Sequence, residues 1–250
     1  NIDVLVVDHY GLGGHWESYL YDRVKLVAID DLPDREHKVH LLTDSGRQKK
    51  NQGDELALFG HKYCLLRKDF LNMRYLSEEK RARTEALNKI LISFGGTDTT
   101  DLTQTTIKAL REYGFSGEIG VLASSGINSL SELQKMKDII LHLDKTDVAK
   151  ILYEYDLVVG ALGGSSWERC CMGLPSISIK VAENQSHIET VLIKEKVSIV
   201  TGTDNSTLLD KIESVMSNSD FSWWKEMSKR CFALCDGYGA YRVAERIKML

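Results

Sequence analysis

Two prolines and five cysteines are scattered through 250 residues, and no apolar run approaches the roughly 20 residues that cross a bilayer. Prolines this scarce, with 19 glycines, exclude a low-complexity or collagen-like chain. The cysteines, Cys64, Cys170, Cys171, Cys231 and Cys235, are odd in number and show no C-x-x-C spacing. Neither a disulfide framework nor a zinc site fits that pattern, and Cys231 with Cys235 at helical spacing offers only two thiols. They read as reduced thiols acting as small hydrophobes. A basic excess is lacking too. With 32 Lys+Arg against 36 Asp+Glu, the net charge of -4 and pI near 6.0 argue against a nucleic-acid surface. No signal peptide is visible. The expectation is a soluble, cytoplasmic globular protein with no nucleic-acid or membrane partner; its oligomeric state is not legible.

Several chemistries are absent as well. Without a G-K pair there is no P-loop. Gly11-Leu12-Gly13-Gly14 approaches a dinucleotide fingerprint, but Trp16 stands where the third glycine belongs. H-E-x-x-H is missing, and no two aspartates stand two apart to clamp a sugar-nucleotide metal. The chain is expected to work without a metal or other cofactor.

What is present is a repeated alternation. Unbroken apolar runs occur at Ile2–Val7, Val24–Ile29, Val39–Leu42, Ile90–Phe94, Ile119–Leu122, Ile139–Leu143, Leu157–Gly160, Ile177–Val181 and Val197–Val200. Segments with helical spacing separate most of them, among them Leu102–Leu110, Leu130–Met136, Val148–Tyr153 and Ile188–Ile193. Buried parallel strands alternating with amphipathic helices define an α/β, doubly wound class. The charged segment 77–89 (SEEKRARTEALNK) reads as an exposed helix or linker, and a fresh strand follows it. The predicted organisation is a partial Rossmann-like domain over 1–76, a linker over 77–89, a complete Rossmann-like domain over 90–235, and a closing helix over 236–250. The first domain has few strands and begins at Asn1 rather than Met, so it is expected to be incomplete.

One internal echo stands out. ILISFGGTD (Ile90–Asp98) and VVGALGGSS (Val158–Ser166) each run from an apolar strand through Gly-Gly into small hydroxyl residues and a helical pattern. Such βα turns put backbone N–H groups at the carboxyl edge of a sheet, where open α/β folds bind ligands. Gly95, Gly96 and Thr97, with Gly163, Gly164, Ser165 and Ser166, are therefore candidates to hold a diphosphate. Tight turns and helix caps explain the same residues without a ligand. Glu168 closes an S-x-x-E capping box with Ser165, or accepts hydrogen bonds from ribose hydroxyls one turn beyond the phosphates. Asp8-His9-Tyr10-Gly11 follows the first strand, so His9 could orient a substrate or move a proton. Asn184 and Gln185 follow the strand Ile177–Val181, where amides can read sugar hydroxyls or simply open a helix. His15, His37, His40, His61 and His142 show no ligand spacing and read as surface or satisfied histidines.

Taken in order, V-V-D-H-Y-G, A-I-D-D, G-H-K-Y-C-L-L-R-K-D-F, S-F-G-G-T-D, G-G-S-S-W-E, A-E-N-Q and D-G-Y-G-A-Y-R-V resemble the UDP-sugar hydrolases of pseudaminic acid biosynthesis. That family releases 2,4-diacetamido-2,4,6-trideoxy-altrose from UDP. The likeness runs through nearly the whole chain. It implies a GT-B-like pair of Rossmann-like domains with the ligand in the cleft between them, the second binding UDP. Gly95, Gly96, Thr97, Gly164, Ser165 and Ser166 would then take the diphosphate and Glu168 the ribose. Asn184 and Gln185 would face the sugar, and Tyr10 would reach it from the first domain. The closing helix would return to the first domain. The implied reaction is metal-independent, inverting attack of water at the anomeric carbon, with fixed N–H donors stabilising departing UDP.

The sequence departs from the family in one respect. The family's general base is a histidine in a G-x-G-H-x-x-R loop after its first strand. Gly13-Gly14-His15 follows the D-H-Y-G strand instead and has no arginine three residues beyond, so that role is not carried to His15. A GT-B glycosyltransferase using a UDP-sugar donor therefore stays open. So do a UDP-sugar-binding fragment without catalysis and a doubly wound domain whose glycines only make turns.

Overall fold

The computed structural model describes residues 2–32, 35–47, 56–95, 98, 101–202 and 205–250. The chain divides into two compact units, one made of residues 1–68 with 236–250 and the other of 69–235.

In the first unit, β1 (Val4–Val7) leads through α1 (Gly14–Ser18) to β2 (Lys25–Ile29), β3 (Leu41–Asp44) and β4 (Leu56–Phe59). The four strands are parallel in the order β1-β2-β3-β4, with Val6 beside Val27, Ala28 beside Leu42 and Leu42 beside Ala57. Alternate residues face opposite sides, as a strand's period of two requires. Leu26, Ala28 and Leu42 bury one face with Val39, while Val27, Leu41 and Leu58 bury the other. The sequence reading did not name β4, whose four residues LALF are too short a run to show a period.

The second unit follows the predicted alternation more closely. It comprises α2 (Lys68–Arg83, with unit two starting at Asp69), β5 (Lys89–Ser93), α3 (Leu102–Glu112), β6 (Glu118–Ala123), α4 (Leu130–Leu133), β7 (Ile139–Leu143) and α5 (Val148–Glu154). Then come β8 (Leu157–Ala161), α6 (Ser165–Cys171), β9 (Ser176–Ile179), α7 (Ser186–Glu195), β10 (Ile199–Thr201), α8 (Asn205–Met216) and α9 (Ser222–Leu234). The strands form a parallel sheet in the order β10-β9-β8-β5-β6-β7. Ile90, Leu91, Ile92, Leu157, Val158 and Val159 have no exposed surface, the state of central strands covered on both faces. The chain then closes with α10 (Gly239–Ile247), whose Val243 and Ile247 join the core of the first unit beside Val27, Leu41 and Leu58.

Of the exposed helix or linker expected over 77–89, the first half is helix and mostly exposed, but not wholly solvated. α2 runs through its first half, and Ser77 and Arg81 are buried. The Ser77 hydroxyl donates to the Met172 carbonyl at 2.6 Å, and the Arg81 guanidinium donates to the carbonyls of Tyr155 at 2.6 Å and Leu152 at 2.8 Å. Lys80 donates to the carbonyls of Tyr153 and Glu154, and its ammonium lies 3.4 Å from Asp156. The two long side chains satisfy backbone oxygens at the end of α5, and Ser77 one at the end of α6, a role that charge counting alone does not distinguish from solvation. All five cysteines are buried, and none is in a disulfide. Among the described residues no helix is long and apolar enough to cross a membrane.

Candidate functional site

β5 and β8 lie side by side at the centre of the second sheet, with Ile90 beside Leu157 and Ser93 beside Gly160. From β5 the chain proceeds outward to β6 and β7, then returns to place β8 on the other flank of β5. The strand order therefore reverses between these two strands, and such a switch point opens a crevice at their carboxyl ends. Both Gly-Gly turns of the sequence leave from this one place.

After β5, Gly95 has φ +88°, a conformation that costs an L side chain strain. Gly96 and Thr97 lie outside the described residues. Asp98 is buried, and its carboxylate accepts the backbone N–H groups of Leu102 at 3.1 Å and Thr103 at 2.7 Å. The first donors of α3 are thus already occupied by a fixed anion.

After β8, the N–H of Leu162 donates to Ile179 at 2.8 Å and ties the turn to β9. Gly163 follows with φ +143°, and Gly164 precedes α6 with helical angles. Among the described residues, no heavy atom lies within 4 Å of where a Cβ would stand on Gly95 or Gly164. The first bonded donors here are Ser166 N, to Gly163 O at 2.9 Å, and Trp167 N, to Gly164 O at 3.0 Å. Ser165 is exposed, Ser166 is buried, and Glu168 is half-buried in the first turn of α6. The expected capping box does not have Ser165 at its head. Gly164, which has no side chain, occupies the cap position and Ser165 is already helical.

Beneath this turn sits a residue the sequence reading passed over. Arg169 is 3% exposed, and its guanidinium donates to Ser166 Oγ at 2.9 Å, to Ala161 O at 3.1 Å, and to Ser165 Oγ and Ser178 Oγ at 3.4 Å. Ser178 is joined in turn to Ser198 at 2.7 Å, and Ser198 to Ser176 at 3.0 Å. Its place one residue after the S-S-W-E motif was visible, but burial of a charged side chain leaves no trace in a sequence.

Gln185 lies in a short 3-10 turn, Glu183–Gln185, after β9. Its side-chain oxygen accepts the N–H groups of Val181 at 2.8 Å and Ala182 at 3.2 Å, and its NH2 donates to Leu162 O at 2.7 Å. The amide expected to read sugar hydroxyls thus clamps the β8 turn to the β9 turn. Asn184, its neighbour, is exposed.

In the first unit, His9 Nδ1 accepts the Gly11 N–H at 2.9 Å, which leaves the ring proton of a neutral imidazole on Nε2. Tyr10 is exposed, and its hydroxyl donates to Asp31 at 2.7 Å. That hydrogen bond, reinforced by partial burial and the charges of Asp31, Asp30 and Asp8, pushes the phenol up to about 12. Tyr10 is therefore a hydrogen-bond donor near neutral pH rather than a base. Close by, Asp30 accepts the Leu32 N–H at 2.9 Å and pairs with Arg35 and His37. Arg35 also donates to the Leu12 carbonyl, tying the loop after β1 to this cluster. His37, expected to be a surface or satisfied histidine, is satisfied at both ring nitrogens, by Glu17 and Asp30, and its side chain is buried.

No family model matches the chain. It is 23% identical over 202 residues to the uncharacterized protein MJ1062 of Methanocaldococcus jannaschii, covering 73% of this chain and 41% of that protein. The chain thus spans about two fifths of the length of this relative. Among solved structures it is similar to Acinetobacter baumannii MurG, with a TM-score of 0.73 at 12% identity over 99% of this chain and 74% of that one. It is also similar to S. aureus MnaA in a co-structure with UDP, with a TM-score of 0.62 at 13% identity over 98% of this chain and 75% of that one. At these identities the likeness is one of fold: an α/β chain with two Rossmann-like sheets of the GT-B type.

Proposed function

We propose that this chain binds a UDP-linked sugar and hydrolyses it to free sugar and UDP, the sugar being a 2,4-diacetamido-2,4,6-trideoxy hexose of pseudaminic acid biosynthesis. The observation that carries the nucleotide part is the departure of two glycine turns from the carboxyl ends of β5 and β8, where the strand order reverses. That crevice is where open α/β sheets take phosphorylated ligands. Among the described residues nothing fills the Cβ positions of Gly95 and Gly164, which supports close approach of phosphate oxygens to the main chain. A similar fold that holds UDP supports the same reading. The sugar class rests on the ordered motifs of the sequence.

In this reading Gly95, Gly96, Thr97, Gly164, Ser165 and Ser166 hold the diphosphate, and Glu168 accepts from the ribose hydroxyls. Gln185 holds the two turns in register, and Asn184 beside it meets the sugar. The resemblance assigns Tyr10 to the sugar, with a phenolic oxygen whose proton is held by Asp31, and His9 beside it in sequence offers its Nε2–H. Water attacks the anomeric carbon as its bond to the diphosphate oxygen breaks, and the proton it loses passes to solvent. The electron pair leaves on UDP, where oriented N–H and O–H donors stabilise the charge.

The test is UDP release from UDP-2,4-diacetamido-2,4,6-trideoxy-altrose, in EDTA and without acceptor. Free sugar and UDP appearing in equal amounts support the reading. UDP release only after a sugar or lipid acceptor is added would make the chain a GT-B glycosyltransferase instead. Glu168→Ala is expected to weaken UDP about tenfold, matching the loss of charge-assisted hydrogen bonds to a ligand.

A further inference from the structure

Arg169 is a buried cation that no carboxylate contacts among the described residues, and the half-buried Glu168 beside it in sequence acts on it only through its charge. Among the described residues it forms no ion pair, its partners are one carbonyl and three serine hydroxyls, and its Nε has no hydrogen-bond partner. The contrast with Arg47, equally buried but paired with Asp44 at 3.1 Å, is direct. A guanidinium removed from water without a counter-charge is costly, and desolvation depresses its proton affinity. A site retains such a charge at little loss only if an anion arrives nearby.

We propose that Arg169 is a positioning residue that makes the Gly163–Ser166 turn selective for a diphosphate. The inference rests on the nucleotide reading given above and assigns the residue behind it. Arg169 has N–H donors and no acceptor, so it can meet Ser165 and Ser166 only at their oxygen lone pairs. Each hydroxyl proton is thereby left to another acceptor. At Ser165, exposed at the mouth of the turn, that acceptor is a phosphate oxygen. At Ser166 the same contact fixes the first turn of α6. The positive charge lies one side chain behind these donors, shielded from solvent, so its field is little screened at the turn. A dianionic or trianionic ligand gains more from that field than a neutral nucleoside does. Ser178, Ser198 and Ser176 form the floor that keeps the guanidinium from turning away.

The experiment titrates UDP, UMP and uridine into the wild type, Arg169→Lys, Arg169→Met and Ser165→Ala, with folding checked by circular dichroism. Arg169→Met is expected to lose tenfold or more in UDP affinity, less for UMP, and under twofold for uridine. Arg169→Lys should recover a large part of the loss, because it restores the charge though not the fork. Should Arg169→Met not fold, Ser165→Ala supplies the measurement. Its surface position spares the fold, it should lose about threefold or more for UDP alone, and the loss should shrink when combined with Arg169→Lys. Folded Arg169 variants that bind UDP as the wild type does would overturn the role of Arg169 and leave the nucleotide site standing. So would a Ser165→Ala loss that is identical in both backgrounds. A wild type that binds none of the three ligands would overturn both.

Discussion

His37 Nδ1 stands 2.8 Å from the Oε1 of Glu17, with both side chains buried, while its Nε2 stands 2.8 Å from Asp30. Both ring nitrogens facing carboxylates makes the ring an imidazolium. Its charge with that of Arg35 balances Glu17 and Asp30. The Glu17 hydrogen bond is the main cause raising the His37 proton affinity above its ordinary value, and burial opposes it. A raised native value stabilises the fold fully below about pH 6.5, the unfolded reference, and the contribution is lost as pH climbs through the native value. Urea unfolding should therefore show stability falling as pH rises above about 6.5 and through the native value. His37→Gln should lose about 3 kcal/mol at pH 6 and abolish that slope. An unchanged slope in the variant would assign the pH dependence elsewhere.

Asp98 ends the S-F-G-G-T-D motif, yet its carboxylate is turned to the backbone of α3 rather than outward. It is expected to act on stability. Asp98→Ala should cost about 1–2 kcal/mol by leaving two helix donors without an acceptor, and Asp98→Asn should cost less. Thermal unfolding of the two variants checks this, and equal melting temperatures for wild type and Asp98→Ala would refute it.

The glycines of the second turn are expected to separate two effects. Gly163 has φ +143°, so Gly163→Ala should lose about 1–2 kcal/mol of stability through backbone strain. Gly164 has φ -55° with open space at its Cβ position, so Gly164→Ala should fold as well as the wild type. If phosphate oxygens occupy that space, the added methyl should still weaken UDP tenfold or more. Calorimetric titration of a fully folded Gly164→Ala decides the matter, and unimpaired binding would remove this position from the site.

The sheet of the second unit was legible because its central strands are uninterrupted apolar runs, and the two turns because glycine pairs follow them directly. What stayed hidden shares a different property. Arg81, Arg169 and His37 are ionisable side chains buried by contacts far along the chain, or by their own helix packing inward, and a sequence shows their charge without their environment. α2 illustrates the point: its arginines and lysines look like a solvated face, while Lys80 and Arg81 cap carbonyls at the end of α5. β4 was missed for a simpler reason, since four residues carry no period.

Gln185 makes a final distinction between reading a ligand and holding a site. Its amide is committed on three bonds, two accepted at Val181 and Ala182 and one donated to Leu162, so the turns after β8 and β9 are joined by a single side chain. Gln185→Glu keeps both accepting bonds but replaces the donor with an oxygen facing the Leu162 carbonyl. That contact becomes repulsive, and the β8 turn is expected to shift away. Gln185→Ala removes all three bonds without introducing repulsion. If the residue holds the turns, both variants should lose stability by about 1–3 kcal/mol and weaken UDP together, the glutamate at least as much as the alanine. If the amide instead read the sugar, either variant would retain UDP affinity and lose only the sugar-dependent part of UDP-sugar binding. Parallel titrations with UDP and with the UDP-sugar, set against urea unfolding of the same samples, separate these outcomes.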